Sequence, residues 1–529
     1  MANPIRIIDL FAGPGGLGEG FASLKQDDDS PAFKIQLSIE NEEFAHKTLM
    51  LRAFFRQFSD TDVPDAYYEY LDGYRGTFPE ESLYRETKYR KEVAAAENEA
   101  KRLTLGEDNT KIHNLIAEAL GSQHSPWVLI GGPPCQAYSI AGRSRNKGVK
   151  NYRAEKDHRN YLYREYLEII ARFRPSVFVM ENVKGMLSAK VGETQIIDQI
   201  KSDLECPALA LNTGEPNIDY DLFTLSPSIN DLELFGNQCL QPKDFIIEAE
   251  RHGVPQTRHR VIIVGVQKRL TARCELKPLA EKKQISIRKV ISNLPKLRSG
   301  LSRGIDCFEN WVDAVRNHEK SLTRNIKKHG LTEVALKYSE NVSKIGEQKL
   351  HRGANLGSGA GIKEFGKSVS ADLVNWYTDK SGWKGACNHE TRAHIESDLH
   401  RYLFCASYAQ VNRDKIQVSP KAKSFPDMLW PDHQNWKTGH FNDRFRVQAR
   451  NLVATTVTSH ISKDGHYFIH YDPTQCRSLT VREAARIQTF PDNYFFVGSR
   501  TKQYIQVGNA VPPYLAYQVA ERIYDFLKE

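Results

Sequence analysis

Through the first half of the chain, short apolar runs alternate with stretches of helical spacing. Ile5–Leu10 (IRIIDL) is apolar and β-branched, a Gly-rich AGPGGLGEGF follows it, and a second strand-like run at 33–39 closes on Glu40. Strand, glycine turn, strand is the opening of a βαβ unit. Runs of the same kind recur at 127–132 (WVLIGG), 176–182 (SVFVMEN) and 260–266 (RVIIVGV), separated by helical stretches such as Tyr161–Phe173. Strands that are apolar throughout are buried on both faces, so the pattern predicts an α/β fold: a mostly parallel, doubly wound, Rossmann-like sheet with helices on both sides.

The rhythm lapses twice. Residues 59–110 are charged, Tyr-rich and Ala/Glu/Lys-rich (KYRKEVAAAENEAKRL), which predicts a helical insertion inside a first domain at 1–270. After Val266 some two hundred residues rich in Lys, Arg, Gly and Ser follow, with a Gly-rich loop at 353–366. They predict a second, smaller, mixed domain at 271–476. Residues 477–529 are expected to return to the first domain, ending in a helix whose Leu515, Val519, Ile523 and Leu527 form one stripe that packs back onto it.

Composition is that of a soluble protein, with a mean hydropathy of −0.53 and no apolar run as long as a membrane span. MANPIRIIDLFAG lacks the parts of a signal peptide, so a cytoplasmic location is expected. The eight cysteines are scattered singly without a CxxC pair, and His252, His259, His460, His466 and His470 come with no fixed ligand set. No metal is expected, and these histidines are read as surface or second-domain residues. Charge is more informative. Of a net +8, residues 271–476 carry 33 Lys and Arg against 21 Asp and Glu, leaving the remainder net acidic. A basic region confined to one domain points to a polyanion, most simply nucleic acid.

Two stretches carry candidate chemistry. Gly13-Pro14-Gly15-Gly16-Leu17-Gly18 matches GxGxxG after a strand, with acidic Glu40 at the end of the next one. Glycines let a backbone approach a ligand, and the acid accepts from ribose hydroxyls, a geometry that NAD and S-adenosylmethionine both need. A tight strand-to-helix turn without ligand is the lesser alternative for this stretch taken alone. The second stretch is GGPPCQAYS, 131–139, directly after a buried strand. It sets Cys135 in a Pro-flanked loop at the carboxyl end of the sheet, where doubly wound folds place their crevice. Methyltransferases directed at an exocyclic amine are expected to show Pro-Pro-aromatic here, so a cysteine argues for attack on a ring carbon. Glu181, at the end of a strand, fits a strand-bracing carboxylate as well as an acid. Arg258 and Arg260 alternate onto one face.

Together these stretches resemble the family of DNA cytosine-5 methyltransferases, of the bacterial restriction-modification type. DLFAGPGGLGEGF (9–21) is similar to the family's cofactor loop, GGPPCQAYS to its nucleophile loop and ENV (181–183) to its catalytic acid. GVPQTRHRVIIVG (253–265) is similar to its glutamine-arginine motif, RSLTVREAARIQTFPD (477–492) to its domain-bracing motif and QVGNAVPP (506–513) to its closing cofactor motif. The resemblance implies S-adenosylmethionine as cosubstrate, held by Asp9, Phe11, Gly13, Gly15, Gly16, Gly18, Glu40, Asn41, Pro133, Asn509 and Ala510. Phe11 would stack near the adenine, Glu40 would hold the ribose, and Asn509 would help to close the pocket. Glu107 or Asp108 is the candidate for the adenine amine, because 59–110 blurs the family's acidic motif. Cys135 would attack carbon 6 of a cytosine flipped out of duplex DNA, and Glu181 would act as an acid at nitrogen 3. Arg258 and Arg260 would supply positive charge, while Gln136 or Ser139 would position the base or its phosphate.

The resemblance makes 271–476 the target-recognition domain. It implies a stand-alone monomer acting on double-stranded DNA, functionally paired with a restriction endonuclease. An RNA cytosine-5 methyltransferase of the same fold and a silent DNA-binding module are the rival readings. A nicotinamide dehydrogenase explains only the Gly-rich loop.

Overall fold

The computed structural model describes residues 3–73, 79, 82–122, 125–133, 161–188, 190–191, 194–212, 218–227, 240–271, 276–354, 362–414, 418–432, 436 and 444–529. They divide into two compact units, Met1–Ser59 with Tyr84–Gln284 and Ala510–Glu529, and Asp60–Leu83 with Ile285–Asn509.

The first unit is built on an eight-stranded sheet of β1 (Ile5–Leu10), β2 (Phe33–Glu40), β3 (Ala100–Arg102), β4 (Trp127–Gly131), β5 (Val177–Val183), β6 (Tyr220–Phe223), β7 (Ile246–Glu248) and β8 (His259–Gln267). Its order is β3-β2-β1-β4-β5-β8-β6, with β7 also pairing β8. The pairs from β3 to β5 are parallel and those of β8 antiparallel, which gives a mixed sheet with a parallel core. Period-2 alternation feeds two apolar layers. Ile7, Val128, Ile130, Val177 and Val179 meet the helix α1 (Gly16–Ala22) and the C-terminal helix Pro513–Lys528. Ile8, Leu10, Leu129, Phe178 and Met180 meet Ile112 and Ile116 of Asn109–Leu120 and Tyr166, Ile169 and Ile170 of Tyr161–Phe173. The doubly wound α/β architecture is therefore present. Leu515, Val519 and Ile523 of the C-terminal stripe are fully buried against α1.

Gly265 on β8 pairs with Phe178, and a Cβ there would lie 2.0 Å from the ring. Only glycine lets that strand close onto β5.

Three boundaries differ from the sequence expectation, the simplest being that the first unit runs on to Gln284 and the second takes up the chain at Ile285 instead of 271. Within 59–110, Ala100–Arg102 is the edge strand of the sheet, and Arg90–Glu99 leads into it after Glu43–Phe55. Residues 60–83 belong to the second unit, where Tyr67 Oη donates to Asn493 O and Tyr68 Oη to Asp379. Residues 477–509 also belong there, because their arginines are buried among its backbone carbonyls: Arg486 donates to Val290 O and Arg482 to Cys387 O, both at 2.8 Å. The second unit has its own core, in which Trp311, Leu322, Tyr338, Leu403 and Phe404 join the helices between 308 and 411. Among the described residues no helix is long and apolar enough to cross a membrane.

Candidate active site

At the carboxyl end of β1 the chain reverses through Phe11 (φ 55°), Gly13 (φ 59°) and Gly15 (φ 97°), the last being the residue that starts α1. Left-handed backbone at Gly15 costs nothing without a Cβ, whereas at Phe11 it is a strained choice held by its surroundings. Phe11 packs, half-buried, at the edge of the Ile8 and Leu10 layer. Glu40 stitches the loop to β2. Its Oε2 accepts from Gly13 N–H and its Oε1 from Glu42 N–H, each at 2.7 Å. Burial nonetheless raises the Glu40 carboxyl above its ordinary range. Asn41 beside it is exposed, and its carbonyl accepts from Arg102 Nε at 3.3 Å. The space where Gly13 would carry a Cβ is open, with no atom within 4 Å.

Asp9 lies behind this loop, 1% exposed, and neither carboxyl oxygen has a hydrogen-bond partner among the described residues. Burial pushes it well above the usual carboxylate range. A Cβ on Gly18 would come within 2.8 Å of Asp9 Oδ2, so the third glycine of the motif lets α1 settle on this side chain. Gly16, in the first turn of α1, is buried.

The next two strand ends are clamped together. Asn182 Nδ2 donates to Pro133 O at 3.0 Å, and a Cβ on Gly132 would sit 3.0 Å from Glu181 Oε2. The run that leads to Cys135 thus starts against the carboxylate of Glu181. Cys135 itself, with Gln136 and Ser139, lies outside the described residues.

Strand β8 runs antiparallel to β5 and carries Arg260, and Arg258 immediately precedes it. Arg260 Nε stands 2.9 Å from Glu181 Oε1, with both side chains about one-seventh exposed (14% and 15%). Arg258 is buried, and its Nη2 donates to Ala510 O at 2.8 Å. Burial lowers the pKa of both guanidiniums, yet arginine at this depth remains the cation of the site.

Glu181, Arg258, Arg260, Pro133 and Ala510 therefore come together in the first unit, as do Asp9, Gly13, Gly18 and Glu40. Asn509 is exposed and belongs to the second unit. Glu107 is exposed, and Asp108 spends its carboxylate on Thr104 N–H at 2.8 Å, holding the turn before Asn109–Leu120. The reading of His252 as a surface or second-domain residue is corrected. It is buried in the first unit, with Nδ1 3.0 Å from Ala280 O, because the residues at 276–284 cover it. His259 meets Glu250 at 2.8 Å, His466 and His470 are buried in the second unit, and His460 is exposed there. Sequence reasoning missed Asn182 and Gly132. Asn182 lay within the ENV stretch, but nothing in one sequence announces a contact between two strand ends.

The chain matches the family described as C-5 cytosine-specific DNA methylase over residues 90–206 and 224–525. It is 33% identical to a type II methyltransferase, M.Bpa9945I, of Bacillus paralicheniformis, across 98% of this chain and 99% of that one. It is 27% identical to the type II methyltransferase M.DdeI of Desulfomicrobium norvegicum across 75% of this chain and 72% of the other. It is 26% identical to M.AgeI of Thalassovita gelatinovora across 75% and 82%. A family match over most of the length and a relative similar from end to end agree with the motif order and with the sheet, and the chain belongs to the C-5 cytosine-specific DNA methylases.

Proposed function

We propose that the protein methylates carbon 5 of a cytosine flipped out of duplex DNA, with Cys135 as the covalent nucleophile and S-adenosylmethionine as cosubstrate. The observation that carries the reading is the pair of Glu181 and Arg260, set 2.9 Å apart beside the strand end that leads into Cys135. The cosubstrate, when bound, supplies an electrophilic methyl group. Its nucleoside suits the open side of Gly13 and the Glu40 carboxylate at the end of β2, with Asp9, Phe11, Gly15, Gly16, Gly18, Asn41, Pro133 and Ala510 of the same unit as its other candidate contacts.

Carbon 5 of cytosine is a weak nucleophile until the ring is activated. The Cys135 thiolate forms a bond to carbon 6, and the electron pair moves toward nitrogen 3. Glu181 protonates or hydrogen-bonds nitrogen 3 and so neutralises the charge pushed into the ring. Arg260 fixes the Glu181 carboxyl, and Arg258 fixes the backbone at Ala510 while adding positive potential. Gln136 and Ser139 orient the base or its phosphate. After carbon 5 is methylated, its proton leaves to a base, the Cys135–carbon 6 bond breaks with its electron pair returning to the thiolate, nitrogen 3 gives back to Glu181 any proton it took, and aromaticity returns.

The base must leave the stack to reach these groups, at a cost of a few kcal/mol. The basic 271–476 segment meets that cost by holding phosphates and reading the target, and a monomer suffices for it. The type II relatives support a setting in which the enzyme marks cytoplasmic DNA against a companion restriction endonuclease.

The test uses plasmid DNA in which 5-fluorocytosine replaces cytosine, incubated with the protein and S-adenosylmethionine. Fluorine cannot leave as a proton does, so the protein should stay bonded to DNA through denaturing electrophoresis, and Cys135→Ala should abolish the adduct. An adduct with Cys135→Ala, or methylation of ordinary DNA with no adduct on the fluorinated plasmid, refutes the reading.

A further inference from the structure

The second unit holds a cavity of about 680 Å3 that the proposed reaction does not use. That volume is in the range of small-molecule sites and several times what a bare oxyanion needs. Six cationic side chains and two carboxylates line it. Both carboxylates are already matched: Glu483 is buried against Arg477 at 2.7 Å, and Asp472 faces Lys296 at 3.0 Å. Arg288 and Arg450 are exposed and have no carboxylate partner among the described residues. Their backbones are joined, because Arg288 N–H donates to Arg450 O at 3.2 Å and Ile287 N–H to Leu452 O at 2.9 Å, so the two guanidiniums start from one rim. Tyr471 also lines the cavity, half-buried and stacked on His470 with centroids 4.5 Å apart.

Paired arginines are suited to phosphate oxygens, since each guanidinium offers a planar fork of donors. A supported aromatic ring beside them is suited to a nucleobase. We propose that this cavity binds a nucleoside phosphate, with Arg288 and Arg450 on the phosphate and Tyr471 stacked on the base. The occupant is either one nucleotide of a DNA strand or a free nucleotide. The chemistry is the same, and the two sources separate experimentally.

The full-length protein is titrated calorimetrically with each 5′-deoxynucleoside monophosphate and with inorganic phosphate. At least one mononucleotide should bind about tenfold more tightly than inorganic phosphate, the margin expected of one stacked base. The R288A/R450A double variant should weaken that binding by about tenfold or more. Tyr471→Leu should remove the advantage over inorganic phosphate. Arg288 and Arg450 are surface residues, so the arginine variant keeps its melting temperature and carries the test even if Tyr471→Leu folds poorly. Competition then fixes the source: displacement of the mononucleotide by an oligodeoxynucleotide identifies a DNA strand as the occupant, and simultaneous binding identifies a free nucleotide. The proposal is overturned if no mononucleotide binds, if inorganic phosphate binds as tightly as all four, or if R288A/R450A binds unchanged. Because binding is measured and not methyl transfer, such a failure leaves the proposed reaction standing.

Discussion

Arg477 and Glu483 face each other as a closed fork, with Nη1 to Oε2 and Nη2 to Oε1 both at 2.7 Å and each side chain 1% exposed. The same carboxylate accepts from Thr480 N–H at 2.8 Å and completes a capping box at the start of the helix Val481–Ile487. Removing it strands a guanidinium in the interior of the second unit. Glu483→Ala should cost about 3–5 kcal/mol of stability, the usual loss when one partner of a buried pair is deleted. Urea denaturation measures it, and a loss below about 1 kcal/mol would mean that the fork is not under tension from burial.

Beside that fork, His389 and His470 are both fully enclosed, and burial pulls each down to about 4. His470 Nδ1 accepts from Asp472 N–H at 3.0 Å, so the neutral ring is the one that fits. In the unfolded chain a histidine takes its proton near pH 6.5, while in the folded state these two resist until about 4. Their contribution is therefore complete above about pH 6.5 and is lost as the pH falls toward 4, at about 1.4 kcal/mol per pH unit for each ring. Unfolding free energy measured between pH 7 and 5 should fall with a slope that these two rings bring toward two protons near pH 5, and His470→Gln should remove about half of that contribution. A flat profile would contradict the burial of both rings.

Burial also explains what the sequence disclosed and what it hid. The apolar runs containing Ile7, Ile130 and Val179 were legible as strands because parallel strands are apolar on both faces. Ala100–Arg102, only three residues long and polar at two of them, carries no such pattern, so the edge strand was absorbed into a helical insertion. Arg482 and Arg486 look like surface charges on a short helix. They are wholly buried, donating to the carbonyls of Cys387, Pro491 and Val290, which draws 477–509 into the second unit. Glu181 and Arg260 were readable as motif members. Their pairing was not, because it depends on the antiparallel register that sets Glu181 opposite Ile262. Arg288, Arg450 and Tyr471 gave no signal at all, since nothing in spacing brings 288 beside 450.

Asp9 carries a cost that a neutral side chain avoids. Burial raises its folded pKa well above the unfolded value near 4, so between those two values the unfolded chain releases a proton that the folded chain keeps. For an acid raised in this way stability is lost as the pH rises. Asp9→Asn, of the same shape and uncharged, should therefore stabilise the protein at pH 8 by about 1–3 kcal/mol, seen as a higher melting temperature, and change little at pH 4. Differential scanning fluorimetry at the two pH values checks it. Destabilisation by Asp9→Asn at both would show that an ionised carboxylate is required there.

Arg260 reaches Glu181 across two antiparallel strands through its Nε, while its Nη1 donates to His259 O at 2.9 Å. The head group is thus held at two points, and the carboxyl beside Gly132 is held through it. Arg260→Ala should lower methyl incorporation into DNA on the order of a hundredfold, the loss typical of removing one preorganised charge from a buried site. Lysine keeps the charge but offers no Nε with a fixed direction, so Arg260→Lys should recover only part of the rate. S-adenosylmethionine affinity should not change in either variant, because the Gly13 loop is stitched by Glu40 on β2 rather than by β8. If Arg260 acts by holding Glu181, combining Arg260→Ala with Glu181→Gln should be scarcely slower than the worse single variant, as residues working as a unit are not additive. Multiplying losses would instead give Arg260 a contact of its own with the base.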